Sequence, residues 1–258
     1  MALNVLSREE IEKYKCNGYL VPKTKLSEVD VDKLQRLTLQ LVADNPQARG
    51  GIRGPHLADG SSKSFERQAG WLDIATNPKL LDIIEELIGP DIILWASTLL
   101  CKSLLEAGTP WHRDGRYYPI RPLTNITAWI AVFDVLRENA ALRFIPGSHV
   151  CRPMDADGAN EPGTDGRLHL SEKEEGTAVD VELEAGQMVV FDVSTVHGSW
   201  PNLSSCERYG YSVRYFPATS LYDRSCATVL ARSRELILVR GQNRAGNRLA
   251  PLVDANHP

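Results

Sequence analysis

The chain has 258 residues, 43% of them hydrophobic and 24% charged, which is enough apolar mass for a sizeable core and excludes disorder as the main state. Its 29 lysines and arginines against 33 acidic residues leave a net charge of −4, so no positive field exists to hold a nucleic-acid backbone or an anionic membrane surface. No apolar run reaches membrane-spanning length, the start MALNVLSREE lacks a basic-then-apolar leader, and Cys16, Cys101, Cys151, Cys206 and Cys226 form no C-x-x-C pair; together these point to a cytoplasmic protein with reduced thiols.

Ser7-Arg-Glu-Glu10 reads as a capping box that opens a short helix, closed by Gly18 before the extended Tyr19-Leu-Val-Pro22. A second helix follows from Val31, Leu34, Leu37 and Leu41, spaced three and four apart behind Ser27 and Asp30 as caps. Residues 46 to 63 are rich in glycine and polar groups without a period, and read as a long, functional loop. Asn77-Pro78 starts a helix carrying Leu80, Leu81, Ile84 and Leu87, which Gly89-Pro90 ends; it is the last strong helix signal.

From Asp91 onward the pattern changes to β-branched and aromatic runs: Ile92 to Leu100, Leu123 to Val135, Leu142 to Ile145, Ala178 to Leu183, Met188 to Val193 and Tyr209 to Phe216. Six such runs predict a β sandwich or barrel with the preceding helices covering one outer face. Residues 151 to 177 form a polar insert without periodicity. We read 1–240 as one domain and 241–258 as a polar tail, either mobile or folded over the site.

His112 and Asp114 stand two residues apart in Trp111-His-Arg-Asp-Gly115, and on an extended segment such side chains share a face and can meet one metal ion. His197, at a turn after the Met188 run, is a candidate third ligand. Two histidines and one carboxylate on one side of an ion leave open positions, as in non-haem iron(II) oxygenases. An H-x-D pair alone is more often a surface hydrogen-bonded pair, so the wider context carries the assignment.

That context is a set of separated segments in one order: Glu10-Ile-Glu-Lys-Tyr-Lys-Cys-Asn-Gly18-Tyr-Leu-Val, Trp111-His-Arg-Asp114, Thr127-Ala-Trp129-Ile-Ala-Val, Phe144-Ile-Pro-Gly-Ser-His149, and His197-Gly-Ser-Trp-Pro-Asn202-Leu-Ser204 followed by Arg208. From about residue 7 to 217 the chain resembles the phytanoyl-CoA dioxygenase family of 2-oxoglutarate-dependent oxygenases. The resemblance implies a double-stranded β-helix, or jelly-roll barrel, with amino-terminal helices packed on one face. It implies His112, Asp114 and His197 as iron(II) ligands and Arg208 as the anchor of the distal carboxylate of 2-oxoglutarate, a role suited to a guanidinium fork. Trp129 and Ser199 match positions lining the cosubstrate pocket, and Thr127 shares the Trp129 face by strand parity. His149 is read as hydrogen-bonding its own turn rather than as a ligand; His56, His169 and His257 are expected in solvent. A glycine common in the family is replaced by Ala140, where backbone geometry is expected to differ.

The implied reaction couples dioxygen and 2-oxoglutarate to hydroxylation, desaturation or rearrangement of a small organic molecule, with release of succinate and carbon dioxide. Arg116, Tyr117, Tyr118, Asn125 and Trp200 are the candidate substrate contacts, a cationic and aromatic set that points to a small polar metabolite, such as an intermediate of secondary metabolism. The alternative is a cupin-like metal hydrolase or isomerase using the same three ligands, which has no need of Arg208. A non-catalytic binding barrel is disfavoured by the intact triad.

Overall fold

In the computed structural model, which describes residues 5–47, 50–56, 69–151, 167–225 and 234–250, the helices start where the chain supplies caps. Helix α1 (Arg8–Asn17) opens with the Ser7 hydroxyl accepting from the Glu10 amide and the Glu10 carboxylate accepting from the Ser7 amide, and closes on Gly18 at φ 80°, a left-handed conformation open to glycine. Strand β1 (Tyr19–Leu20) leads to α2 (Glu28–Asp44), capped by Ser27, with Leu34, Thr38 and Leu41 buried. Strand β2 (Ile52–Arg53) lies in the stretch expected to be loop alone; two residues are too few to show a period. Helix α3 (Ala69–Ala75) also gave no cap signal, whereas α4 (Pro78–Ile88) follows its predicted Asn77 cap and first-turn proline.

Strand β3 (Ile92–Lys102) is followed by a 3-10 turn (Asp114–Tyr117), β4 (Ile120–Arg121), β5 (Ile126–Ala131) and β6 (Leu142–Phe144). Two short helices, α5 (Ser148–Cys151) and α6 (Glu172–Glu175), precede β7 (Val179–Val181), β8 (Met188–Asp192) and β9 (His197–Ser199). The long β10 (Arg208–Pro217), β11 (Leu221–Tyr222) and β12 (Ile237–Arg240) complete the set. The six predicted runs are β3, β5, β6, β7, β8 and β10. Helix α6 carries a Ser171/Glu174 capping box inside the insert expected to lack order; residues 152–166 of that insert lie outside the described residues.

The main sheet runs β1-β8-β5-β10-β3-β12, with β2 also on β3; a second sheet runs β7-β6-β9, and β11 pairs with β4. Strand parity divides the main sheet into two faces. On one, Ile126, Ala128, Ile130, Tyr209, Tyr211, Val213 and Tyr215 pack against Leu34 and Leu41 of α2, Trp71 of α3 and Leu80 and Ile84 of α4. The Tyr211 and Tyr215 hydroxyls donate to the Trp71 and Ala75 carbonyls at 3.2 and 2.7 Å, pinning α3 to the sheet. On the other face Trp129, Val189 and Phe191 meet Leu142, Phe144 and Val181 of the small sheet. Two facing antiparallel sheets with helices on one outer side make the expected double-stranded β-helix.

One expectation is corrected here. His56 is fully buried, its Nδ1 against the Ser97 hydroxyl on β3, rather than in solvent. Ala140 holds φ 76°, a left-handed conformation that costs an L-residue roughly 1–2 kcal/mol. Residues 241–250 are tied down: the Gln242 amide and the Arg244 guanidinium bond Asp91, and the Asn247 carboxamide bridges the Tyr222 amide and the Ser220 carbonyl. Residues 251–258, with His257, lie outside the described residues. His169 is exposed. Among the described residues no helix is long and apolar enough to cross a membrane.

Candidate metal centre and cosubstrate cavity

His197 was expected at a turn; it begins β9, and this pairing builds the site. His112 and His197 exchange both backbone hydrogen bonds, at 2.9 and 3.0 Å, so they stand directly opposite one another with ring centroids 4.2 Å apart. His112 Nδ1 lies 2.9 Å from the Pro110 carbonyl and His197 Nδ1 3.0 Å from that of Thr195. A carbonyl only accepts, so each Nδ1 carries a proton and each Nε2 is the ring nitrogen left to serve as a ligand. The two Nε2 atoms lie 3.8 and 3.9 Å from Asp114 Oδ1, beyond hydrogen-bond range, and all three donor atoms fall within 4.8 Å of one another.

The electrostatics prepare this donor set. Burial, then repulsion from His112, lowers the His197 pKa to about 4, so its imidazole is neutral at neutral pH. Burial works to raise the pKa of Asp114, but Arg214, His197 and His112 outweigh it and hold the carboxyl at about 2, fully ionised. Phe191 and Phe144 pack on the His197 ring at 4.7 and 5.7 Å between centroids and keep water from its face. Two imidazoles and one carboxylate, with both Nδ1 atoms engaged by backbone carbonyls, are a donor set that suits a divalent iron.

From the triad a cavity of about 180 Å³ runs to Arg208 and Lys102, directly opposed across β10 and β3. They are 5% and 3% exposed, and among the described residues neither forms a salt bridge. Lys102 Nζ donates to the Thr109 and Ser199 hydroxyls at 3.1 Å each; Arg208 Nε has no hydrogen-bond partner, and its guanidinium lies 5.1 Å from the Trp129 ring centre. Burial lowers the Arg208 pKa to about 10; burial and then Arg208 lower that of Lys102 to about 8, with Glu106 opposing both shifts. Two buried cations without a bonded carboxylate form an anion pocket at the far end of the metal cavity.

The sequence profile described as phytanoyl-CoA dioxygenase (PhyH) matches residues 14–210. The chain belongs to this family of iron(II)- and 2-oxoglutarate-dependent oxygenases. It is 26% identical over 240 residues to the peroxisomal phytanoyl-CoA dioxygenase of Bos taurus, covering 85% of this chain and 71% of that one. Dioxygenase lolE1 of Epichloe uncinata is 27% identical over 213 residues, 79% of this chain and 80% of its own. Among solved structures, CytC3 with Fe(II) and alpha-ketoglutarate shares the fold with a TM-score of 0.70 at 21% identity, covering 96% of this chain and 95% of that one.

Of the expected cosubstrate residues, Trp129 lines the cavity and Ser199 bonds Lys102 at its rim, while Thr127 Oγ1 faces Asp114 Oδ2 at 3.5 Å instead. The expected substrate residues with described side chains, Tyr118, Asn125 and Trp200, have different surroundings. Asn125 is buried, its Oδ1 accepting from the Trp95 indole at 2.5 Å; Trp200 stacks on Arg143 at 3.8 Å and lines a separate surface pocket with Leu136 and Leu203. Tyr118 lies edge-on to Trp95 and interacts with Asp114 and Arg214. The side chains of Arg116 and Tyr117 lie outside the described residues. His149 reaches the Lys15 carbonyl of α1 rather than its own turn. Sequence reading missed Lys102, which only the β3/β10 register brings to Arg208, and Arg214, whose signal was its even spacing from Arg208 on one strand.

Proposed function

We propose that this enzyme holds iron(II) with His112, Asp114 and His197, anchors the distal carboxylate of 2-oxoglutarate on Arg208, and oxidises a small polar organic molecule with release of succinate and carbon dioxide. The carrying observation is that two Nε2 atoms and Asp114 Oδ1 converge at one end of a cavity whose other end holds two buried cations that form no salt bridge among the described residues. When bound, the metal supplies dioxygen activation coupled to decarboxylation of the cosubstrate. Arg208 offers a fork to two carboxylate oxygens, Lys102 adds a second charge, and Trp129 walls the cavity between them and the triad.

The substrate is a polar metabolite, such as an intermediate of secondary metabolism, that is hydroxylated, desaturated or rearranged. Arg116 and Tyr117, which follow Asp114 in the 3-10 turn, support this reading by their chemistry. The net charge of −4 favours a small molecule over nucleic acid, and free Cys16, Cys101 and Cys206 favour a reducing, cytoplasmic setting. Anaerobic addition of iron(II) and then 2-oxoglutarate tests the proposal: a weak visible charge-transfer band is expected, lost in His112→Ala and His197→Ala. Wild-type protein that binds iron without such a band would shift the assignment to a metal hydrolase or isomerase.

A further inference from the structure

The two oxygens of Asp114 have different surroundings. Oδ1 faces both imidazoles, whereas Oδ2 lies 3.5 Å from Arg214 Nε and 3.5 Å from Thr127 Oγ1. Arg214 and Thr127 are directly opposed on β10 and β5, so the sheet register itself sets this pair beside the carboxylate. A break in the β10/β3 register between Arg214 and Tyr215 falls at the same place, a device that re-aims a side chain beside a functional site. Tyr118 interacts with both Asp114 and Arg214 and is itself braced by Trp95 at 4.6 Å, whose indole donates to Asn125. Asn125 and Tyr118 therefore belong to a buried chain of supports that ends on the metal-facing carboxylate.

We infer that Arg214, in ion-pair contact with Oδ2, and Thr127, donating to it, are positioning groups that, with Tyr118 alongside, make Asp114 a one-oxygen ligand. The inference rests on the proposed iron site and adds a reason for its stoichiometry. Three single donors leave three positions of an octahedral ion, two for a chelating 2-oxo acid and one for dioxygen. A carboxylate free to turn could bind through both oxygens and take one of those three. A guanidinium beside Oδ2 opposes that rotation, because turning would draw the carboxylate away from a half-buried cation that has no other salt bridge among the described residues.

The test uses Arg214→Met, which keeps the stem but not the fork, and Arg214→Lys, which keeps the charge. Iron(II) affinity is measured by competition with a chelating dye, and the anaerobic 2-oxoglutarate band is recorded at saturating iron. The expected result is a 10- to 100-fold loss of iron affinity in Arg214→Met, a charge-transfer band weakened or shifted even with the metal site full, and partial recovery of both in Arg214→Lys. The doubly substituted Thr127→Val, Tyr118→Phe protein removes two of the contacts with near-isosteric side chains. It should shift the band in the same direction, and it decides the matter if Arg214→Met does not fold. Wild-type iron affinity and an unchanged band in the folded variants overturn the inference and leave the metal site standing. Absence of a band in the wild-type protein overturns the iron and 2-oxoglutarate reading beneath it.

Discussion

Arg208→Met is the sharpest probe of the cosubstrate pocket, because it removes the guanidinium and keeps most of the stem packed beside Trp129. Arg208 is 5% exposed and its Nε is unpartnered, so a carboxylate arriving there makes charge-assisted bonds in a largely dry setting. Truncating one partner of such a pair costs about 2 to 5 kcal/mol, or roughly thirtyfold to several-thousandfold in affinity. Lys102 stays directly opposite and still attracts the anion, which places the expectation at the lower end, about thirty- to a hundredfold. Anaerobic titration of the iron(II) protein with 2-oxoglutarate, followed through its charge-transfer band, measures the loss. The same titration with 2-oxopentanoate, which carries a methyl group in place of the distal carboxylate, supplies the control. Wild-type protein should prefer 2-oxoglutarate, and the variant should lose most of that preference by weakening 2-oxoglutarate alone. Saturation at the wild-type concentration, or equal weakening of both acids, would refute the anchor.

Lys102 has a pKa of about 8 in the free site, so below that pH it is already charged and 2-oxoglutarate affinity should be flat; above it, binding must draw in a proton and affinity should fall by up to about tenfold per pH unit, a slope that Lys102→Met removes in titrations across pH 7 to 9.5. Gly210→Ala should unfold at lower temperature, because its Cβ would sit 1.9 Å from the Trp129 ring; a cost of about 1–3 kcal/mol corresponds to about 2–4 °C per kcal/mol in a thermal melt, and an unchanged melt would show that the ring yields freely. On the proposed triad Asp114 is the third protein donor, and products formed in excess chloride or bromide should then carry no halogen; a halogenated product in the mass spectrum of wild-type reactions would show that Asp114 is not a ligand during turnover.

What could be read along the chain was local. Ser7 with Glu10, and Asn77 with Pro78, announce their helices within four residues, and His112 with Asp114 announces a metal-facing segment because strand parity acts at a spacing of two. The short β2, β4, β9, β11 and β12 escaped, since none lies in an apolar run long enough to show a period, unlike the equally short β6 and β7. Among the residues chosen as substrate contacts for closeness to Asp114 in sequence, Asn125 accepts from the Trp95 indole, a partner that sequence spacing does not reveal.

The strand β10 shows how the site could have been read more deeply. Its sequence Arg-Tyr-Gly-Tyr-Ser-Val-Arg-Tyr alternates a bulky apolar set with a small or charged one. Tyr209, Tyr211, Val213 and Tyr215 must lie under the helices, which compels Arg208, Gly210, Ser212 and Arg214 onto the opposite face; a slip of one residue would bury both arginines against α2 and α3. A strand buried on both sides that still carries charge on one of them cannot spend that face on packing, because an unpaired buried guanidinium is too costly to keep without an anionic partner. At the Arg214 end that partner is Asp114. At the Arg208 end Glu106 lines the same cavity and acts on Arg208 without forming a salt bridge with it, and on this reasoning a bonded partner has to arrive with the cosubstrate.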